Sequence, residues 1–298
     1  MNPTQKKHIM NTELKNKILT ALKENRNYHT SDAKHATKLG INTAQYSRIK
    51  AGEFDKVISD AKWITLARLL NVQLQNKASW VTVETETYKY VNAQLKACQN
   101  RSISAILCDR AGIGKTHAAI NYVQRNKNAV YIDCSQVKSK QKLIRKIARE
   151  FGVEYTGRYA DVYEDMVFYI RTLSNPLIVL DEAGDLDYAA FLELKALWNA
   201  LPYCCGWYMM GADGLKQKIT RQRDLKKVGY TEILDRFGND YKKVTPEGNE
   251  ALKEFNLQQV ALICKANNAT VTPLKMYART FGSLRKVRNE IEKRQELS

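Results

Sequence analysis

The sequence predicts an α/β domain built on a parallel sheet, with an all-α segment before it and a second helical segment after it. Between residues 85 and 245, short continuous apolar runs alternate with stretches in which apolar residues recur at helical spacing. Such runs are typical of strands buried on both faces, and strands that alternate with helices favour a doubly wound parallel sheet. Residues 31–70 and the chain from residue 246 onward show helical patterns.

The predicted domain boundaries follow from these changes of pattern. They give an all-α N-terminal domain at residues 1–73, a linker at 74–84, an α/β core at 85–245 and a small helical C-terminal segment at 246–298. The linker is placed where the periodicity fades, between Leu74 and Glu84.

The charge of the chain is unevenly distributed. Its 298 residues carry a net charge of +17, with +7 in residues 1–76 and +8 in residues 214–298, but only +2 in residues 77–213. Basic flanks on a near-neutral middle indicate surfaces for a polyanion such as DNA. Because no run of 18 apolar residues and no charged-then-apolar leader occurs, the sequence predicts a soluble, cytoplasmic protein with no membrane partner.

Residues 31–52, SDAKHATKLGINTAQYSRIKAG, have the spacing of a helix-turn-helix. Leu39-Gly40-Ile41 makes the turn, Tyr46 and Ile49 form the buried face of the second helix, and a further helix is predicted at 63–70. The exposed face of the second helix carries the predicted DNA contacts Gln45, Arg48 and Lys50. The segment resembles the repressor-like helix-turn-helix family, in which the second helix enters the major groove. A small helical bundle used for protein contacts is the alternative.

The predicted core alternates strands with helices. Its elements are a helix at 88–98, strands at 104–108, 129–134, 176–182 and 206–212, and a basic helix at 141–152.

A glycine-rich loop, SAILCDRAGIGKTH at residues 104–117, lies between the first strand and a helix. In the pattern G-x-x-x-x-G-K-[ST], backbone N–H groups surround phosphates, the lysine reaches the β and γ oxygens, and the hydroxyl binds Mg²⁺. Asp109 replaces the first glycine, which tolerates positive φ where aspartate does so less easily. This departure, together with the end of the fourth strand at Gly211, Ala212 and Asp213, is the ground on which we expect slow hydrolysis. The predicted nucleotide-binding residues are Gly112, Ile113, Gly114, Lys115, Thr116 and His117.

Residues 176–182, PLIVLDE, are an apolar run that ends in two carboxylates. A buried parallel strand delivers such acids to the C-terminal edge of the sheet, where phosphate-binding loops also lie. Asp181 is therefore predicted to hold Mg²⁺ together with Thr116, and Glu182 to polarise the attacking water. The loop and the acidic strand together predict an ATPase that uses ATP and Mg²⁺.

Two arginines extend this pattern, Arg236 in LDRFG and Arg285 in GSLRKVRN. Together with the loop and the acidic strand, they resemble the AAA+ ATPases over about residues 80–298. The resemblance implies a P-loop core with a helical lid, in which Arg285 reads the γ-phosphate and Arg236 is a finger that reaches the ATP of a neighbouring subunit. Arg221 and Arg223 compete with Arg236 for the role of finger.

The order helix-turn-helix, AAA+ core and short basic lid is similar to the MuB-type transposition ATPases, and WVTVETETYKYV looks like that family's entry to the nucleotide site. The resemblance implies ATP-driven assembly on double-stranded DNA, as a filament or ring with little sequence preference, and delivery of that DNA to a DDE-type transposase. Lys138 and Lys140 are the predicted DNA contacts at the axis of the oligomer. The alternatives are a helicase loader or replication initiator, and a nucleotide-switched transcription regulator.

Overall fold

A computed structural model describes residues 10–72 and 80–295. Residues 10–72 form the helices α1 (Thr12–Arg26), α2 (Asp32–Leu39), α3 (Thr43–Lys50) and α4 (Asp60–Leu69). The predicted turn is present, because Gly40 has a φ of 67° and ends α2, while Asn42 and Gln45 form a capping box that begins α3. Most of the predicted linker, residues 74–79, lies outside the described residues, so the domain boundaries stay a prediction.

The sheet has the strands β1 (Ser104–Cys108), β2 (Ala129–Asp133), β3 (Leu177–Asp181), β4 (Gly206–Gly211) and β5 (Tyr241–Lys242). They pair in parallel in the order β2-β3-β4-β1-β5. All residues of β3 and β4 are buried, as their continuous apolar sequences predict. The fourth predicted strand, β4, is inserted next to the first, so the C-terminal ends of β1 and β3 lie on either side of it.

Helices cover both faces of this sheet. They are α5 (Glu86–Arg101), α6 (Lys115–Arg125), α7 (Lys140–Glu150), α8 (Tyr159–Thr172), α9 (Tyr188–Ala200), α10 (Asp213–Asp224) and α11 (Tyr230–Arg236). Successive side chains of β1 enter different apolar clusters, Ile106 with α7 to α11 and Leu107 with α5 and α6. The predicted α/β fold class is thereby confirmed. Within residues 10–72 and 80–295, the structure has no helix with the length and apolarity needed to cross a membrane.

The lid consists of α12 (Asn249–Ala266), α13 (Pro273–Thr280) and α14 (Leu284–Gln295). Its helices share a small apolar cluster that includes Val260, Met276 and Val287. Trp80 and Val83, which precede the core, pack against the same cluster. The segment at 80–85 therefore lies between the core and the lid, and we call it the strap.

The N-terminal helices rest on the core. Lys38 Nζ lies 3.5 Å from Glu150 Oε2, and the hydroxyl groups of Thr30 and Tyr169 are 2.9 Å apart. At Gly152 a Cβ atom would lie 2.3 Å from the carbonyl oxygen of Lys34, so only glycine permits this approach of α2 to the end of α7. The contact places the helix-turn-helix beside α7 and α8.

Candidate nucleotide-binding site

The glycine-rich loop joins β1 to α6, and its two glycines have the backbone conformations that the pattern requires. Gly112 has a φ of 80° and Gly114 one of 102°, a region that side chains rarely adopt. Lys115 begins α6 and is only 7% exposed. Its Nζ donates hydrogen bonds to the backbone carbonyls of Asp109 (2.6 Å) and Arg110 (2.8 Å). The side chain of Lys115 is thus held against the backbone of its own loop, where the oxygens of a phosphate group would provide alternative acceptors for its ammonium.

Asp109 takes a different role from the one that its position in the pattern predicts. Its φ is not positive, so the expected conflict between aspartate and a left-handed backbone does not arise, and the expectation of slow hydrolysis on that ground is not supported. Its side chain is instead buried, and the carboxylate accepts hydrogen bonds from Val244 and Thr245. The aspartate ties the loop to the segment that leads into the lid.

The acidic strand ends beside the loop, as predicted. Thr116 Oγ1 donates a hydrogen bond of 2.7 Å to Asp181 Oδ2, and Asp181 is 2% exposed. Hydroxyl and carboxylate oxygens are the hard ligands that Mg²⁺ prefers, so this pair fits the ion. The hydroxyl of Tyr131 also donates to Asp181 Oδ2, at 2.7 Å. The pattern along the chain did not predict Tyr131, because only the pairing of β2 with β3 places it beside the acid.

Glu182 follows Asp181 in a left-handed backbone conformation, with a φ of 50°. Non-glycine residues in this region are uncommon and are enriched at functional sites. Desolvation of its carboxylate, and next the negative charge of Asp181, raise the pKa of Glu182 above its ordinary value, while Lys115 opposes the shift. A carboxylate with a raised pKa is a stronger proton acceptor, which suits a general base.

Lys115, Thr116 and Glu182 converge on one cavity of about 330 Å³. Seven of the predicted residues line it, namely Gly112, Gly114, Lys115, Thr116, His117, Glu182 and Arg285, whereas Ile113 is buried without lining it. Apolar side chains of the strap, α6 and the lid also line it, namely Trp80, Val81, Val83, Ile120, Ile263 and Leu284. A cavity with both polar and apolar lining is suited to a ligand with phosphates at one end and an aromatic base at the other.

The strap is fastened over this cavity from both sides. His117 Nε2 and Thr82 Oγ1 are 3.0 Å apart, and the side chain of Asn267 bonds both the N–H (2.9 Å) and the carbonyl (3.1 Å) of Val81. The guanidinium of Arg288 lies 5.0 Å from the centre of the Trp80 ring. Asn267 and Arg288 belong to the lid and were not predicted, because their role depends on how the lid packs on the strap.

The two arginines lie in different places. Arg285 is exposed at the beginning of α14 and lines the cavity. Arg236 does not line it, and its guanidinium bonds Asn199 Oδ1 (2.7 and 3.1 Å) and lies 5.1 Å from the centre of the Trp198 ring. Of these two arginines, Arg285 lines the cavity of its own chain and Arg236 does not.

The predicted DNA contacts fall on two separate elements. On α3, Arg48 Nε is 2.8 Å from Glu53, Lys50 Nζ is 2.8 Å from Asp32, and Gln45 serves the capping box. These side chains already have partners within the helix-turn-helix. Lys138 precedes α7 and Lys140 is its first residue; both are exposed, and Lys140 Nζ lies 5.4 Å from the centre of the Tyr159 ring.

Comparison with known proteins finds a family model that matches the central part of the chain. Residues 99–219 match the family model described as "AAA domain". No curated protein sequence matches the chain. Among solved structures, the Aeropyrum pernix ORC1 protein, determined in complex with DNA, is similar with a TM-score of 0.45 and 16% identity, over 74% of this chain and 66% of that chain. This likeness is too distant to inform function. Residues 99–219 are thus similar to an AAA domain, and the parallel strand order and the loop beside the acidic strand give the core the AAA+ P-loop fold.

Proposed function

We propose that the protein is an ATPase that assembles on double-stranded DNA in the presence of ATP and Mg²⁺ and delivers that DNA to a DDE-type transposase. The observation that supports nucleotide binding is the convergence of Lys115, Thr116 and Glu182 on one cavity that apolar side chains also line. The match of residues 99–219 to an AAA domain supports the same reading.

Hydrolysis uses groups that are already close to one another. Lys115 would direct its ammonium from the loop carbonyls toward phosphate oxygens, and Thr116 and Asp181 would hold the metal through oxygen atoms. When bound there, Mg²⁺ would neutralise phosphate charge and orient the oxygens. Glu182 accepts a proton from the attacking water, and Tyr131 keeps Asp181 in one orientation by its hydrogen bond.

Assembly is proposed to complete the site. Arg285 lies at the cavity of its own chain and reads the γ-phosphate, whereas Arg236 lies away from that cavity and reaches the nucleotide of a neighbouring subunit. A cation that arrives in this way stabilises the charge of the transferring phosphoryl group and makes turnover depend on assembly.

DNA binding is proposed to depend on the basic ends of the chain and on Lys138 and Lys140. Both lysines are exposed; Lys138 lies just before α7 and Lys140 is its first residue. The helix-turn-helix adds a second contact, in which phosphates would replace Glu53 and Asp32 as partners of Arg48 and Lys50. Contacts of this kind favour binding with little sequence preference.

The transposition role rests on the order helix-turn-helix, AAA domain and lid, which is similar to that of the MuB-type ATPases. A transposase encoded beside this chain, purified with it, should be stimulated by the ATP-bound, DNA-bound form. A closed ring that loads a helicase, or a discrete complex at one operator sequence, would contradict this role.

Assembly itself can be measured by sedimentation with random-sequence duplex DNA, with and without ATP and Mg²⁺. We expect large complexes only with ATP, on any duplex, and binding that weakens steeply as salt rises from about 50 to 200 mM because several phosphates are neutralised. A Lys138→Ala, Lys140→Ala double variant should bind DNA more weakly, whereas a Lys89→Ala, Lys96→Ala control on α5, which removes the same charge, should not. A salt-independent affinity, or equal loss in both variants, would contradict the proposed surface.

A further inference from the structure

We propose that Asp109 is a positioning residue that fastens the hinge between core and lid to the phosphate-binding loop, so that the lid responds to the occupancy of the loop. We define the hinge as residues 243–248, which connect β5 to α12. The first half of this inference concerns the protein alone, and the second half rests on the proposed nucleotide site.

The carboxylate of Asp109 is enclosed by donors. It is 1% exposed, its Oδ2 accepts from the N–H groups of Val244 (2.7 Å) and Thr245 (2.8 Å), and its Oδ1 accepts from Thr245 Oγ1 (2.6 Å). The N–H of Arg110 also donates to Oδ1, at 2.7 Å. Burial raises the pKa of Asp109, but hydrogen bonds from Thr245, Val244 and Arg110 outweigh it and lower the pKa overall. The carboxylate therefore stays ionised, and hydrogen bonds to an ionised acceptor are stronger than those between neutral groups.

Three of these four donors belong to the hinge. Thr245 is 4% exposed and immediately precedes Pro246, so its backbone and hydroxyl are both enclosed at the point where the chain leaves the core. Glycine, which the loop pattern has at position 109, offers no acceptor for these groups. The departure from the pattern thus creates a contact between the loop and the hinge.

The backbone of the same residue holds the lysine of the site. Lys115 Nζ donates to the carbonyls of Asp109 and Arg110, which uses two of its three N–H donors, so binding more than one phosphate oxygen redirects at least one of these bonds. A movement of Lys115 therefore changes the hydrogen bonds of Asp109, the residue whose side chain holds the hinge. The two acceptors, the backbone carbonyl and the carboxylate of Asp109, are separated by only a few covalent bonds, which makes the coupling direct.

The lid is attached to the loop at a second point. The N–H of Leu284, the first residue of α14, donates to the carbonyl of Gly112 at 2.8 Å. A Cβ at Gly112 would lie 2.7 Å from Ser283 Oγ, so the loop and the lid are in close contact there. With one attachment at the hinge and another beside Arg285, the position of the loop sets the orientation of the lid.

Hydrogen exchange of the hinge amides tests the anchoring in the full chain without nucleotide. In Asp109→Gly, which restores the loop pattern, the amides of Val244 and Thr245 should exchange about tenfold faster or more, because they lose a charged acceptor. Thr245→Val removes one hydroxyl donor and should give a smaller increase. Asp240→Gly removes an exposed aspartate just before β5 and should match the wild type. Exchange in Asp109→Gly equal to the wild type would overturn the anchoring.

The nucleotide step uses a non-hydrolysable ATP analogue with Mg²⁺, with its binding measured separately by calorimetry. In the wild type, the bound analogue should slow exchange of the hinge amides by about threefold or more, as the lid closes on it. Asp109→Gly should bind the analogue without that slowing. If the wild type binds the analogue and its hinge exchange does not change, the coupling is wrong although the nucleotide site stands. If the wild type does not bind it, the proposed function and the coupling both fail, whereas the anchoring is still decided by the nucleotide-free comparison.

Discussion

At the scale of single residues, Lys115 is the side chain on which nucleotide binding depends most. Its ammonium is buried and donates to backbone carbonyls, so removing it takes away the one cation of the loop that lines the cavity. Lys115→Ala should weaken ATP affinity by about 100-fold or more, since charge-assisted hydrogen bonds contribute about 1.5–3 kcal/mol each. Titration calorimetry measures this, with Lys96→Ala on α5 as the matched control. Similar affinities in the two variants would remove the nucleotide from this loop.

Glu182 is expected to separate binding from hydrolysis. Glu182→Gln keeps the shape of the side chain but not its ability to accept a proton, so ATP affinity should stay within about threefold while single-turnover hydrolysis falls by about 10²- to 10⁴-fold. Asp185→Asn, an exposed carboxylate of the same turn, should hydrolyse ATP normally. Because the pKa of Glu182 is raised, wild-type turnover should decline on acidification at a higher pH than for an ordinary glutamate. Normal hydrolysis by Glu182→Gln would transfer the role of base to another group, first of all Asp181.

The sequence predicts those residues whose role is encoded by neighbours in the chain. Lys115 and Asp181 belong to short patterns that combine a strand with a loop, and the structure brings both patterns together. Tyr131, Asn267 and Arg288 were missed because strand pairing and lid packing give them their contacts. These contacts join residues far apart in the sequence, and no local pattern reports them.

At the scale of secondary-structure elements, the N-terminal helical segment contains a pair of neutral histidines, one just before α2 and one on it. The rings of His29 and His35 are stacked 4.5 Å apart, and His35 Nδ1 lies 2.8 Å from the hydroxyl of Tyr46 on α3. Burial, and then the charge of Lys38, lower the pKa of His29 to about 2 and that of His35 to about 3. Asp32 opposes the shift of His35 but does not reverse it. Both rings therefore stay uncharged in the folded helices throughout the physiological range.

This pair should make the N-terminal helices sensitive to acid. The unfolded chain binds a proton at its ordinary pKa of about 6.5, whereas the folded chain does not, so stability is complete above that value and is lost below it. At pH 5.5 the loss should be about 1.4 kcal/mol for His35. Hydrogen exchange of α2 and α3, corrected for its intrinsic pH dependence, measures the change between pH 7.5 and 5.5.

His35→Gln is the matched variant, because glutamine can still bond Tyr46 but does not titrate. It should retain only the part of the acid sensitivity that belongs to His29. An equal pH dependence in the variant and the wild type would mean that other groups cause it.

The four buried strands were predicted well, whereas the long helices α1, α8 and α9 and the short strand β5 were not predicted. Strands β1 to β4 lie within a residue or two of their predicted positions, because continuous apolar runs bounded by polar residues report buried strands. Strand β5 has two residues and only intermediate burial, so it carries no apolar run. Its existence depends on pairing with β1, which the chain from 241 to 242 does not encode locally.

At the scale of the whole molecule, the site is built from both ends of the described core. The strap precedes the sheet in the chain and the lid follows it. Both nevertheless line the same cavity as the glycine-rich loop, which follows β1, and Glu182, which follows β3. Nucleotide binding therefore joins segments that are far apart in the chain and should stabilise the lid more than the sheet. Arg236 lies outside this cavity, partly exposed at the end of α11, where a second subunit could reach it.

The last prediction concerns that second subunit. The contacts of Arg236 with Asn199 and the Trp198 ring fix its guanidinium outside the cavity of its own chain. If it completes a neighbour's site, Arg236→Ala should still bind ATP but lose the part of its turnover that DNA stimulates. Arg125→Ala, which removes an arginine at the end of α6, should keep that stimulation. Arg221 and Arg223 are the next candidates if Arg236→Ala is stimulated normally.

Mixing two variants that each lack DNA-stimulated hydrolysis decides whether Arg236 acts between subunits. Arg236→Ala chains keep Lys115, and Lys115→Ala chains keep Arg236, so an interface between them can contain one complete site. DNA-stimulated hydrolysis should therefore reappear in the mixture and pass through a maximum as the ratio of the two variants changes, because mixed interfaces are most frequent at intermediate ratios. An arginine that acted only within its own chain would give no recovery at any ratio, since neither variant has both groups. Light scattering on DNA must show co-assembly, and a co-assembled mixture without recovery would exclude Arg236 as the finger.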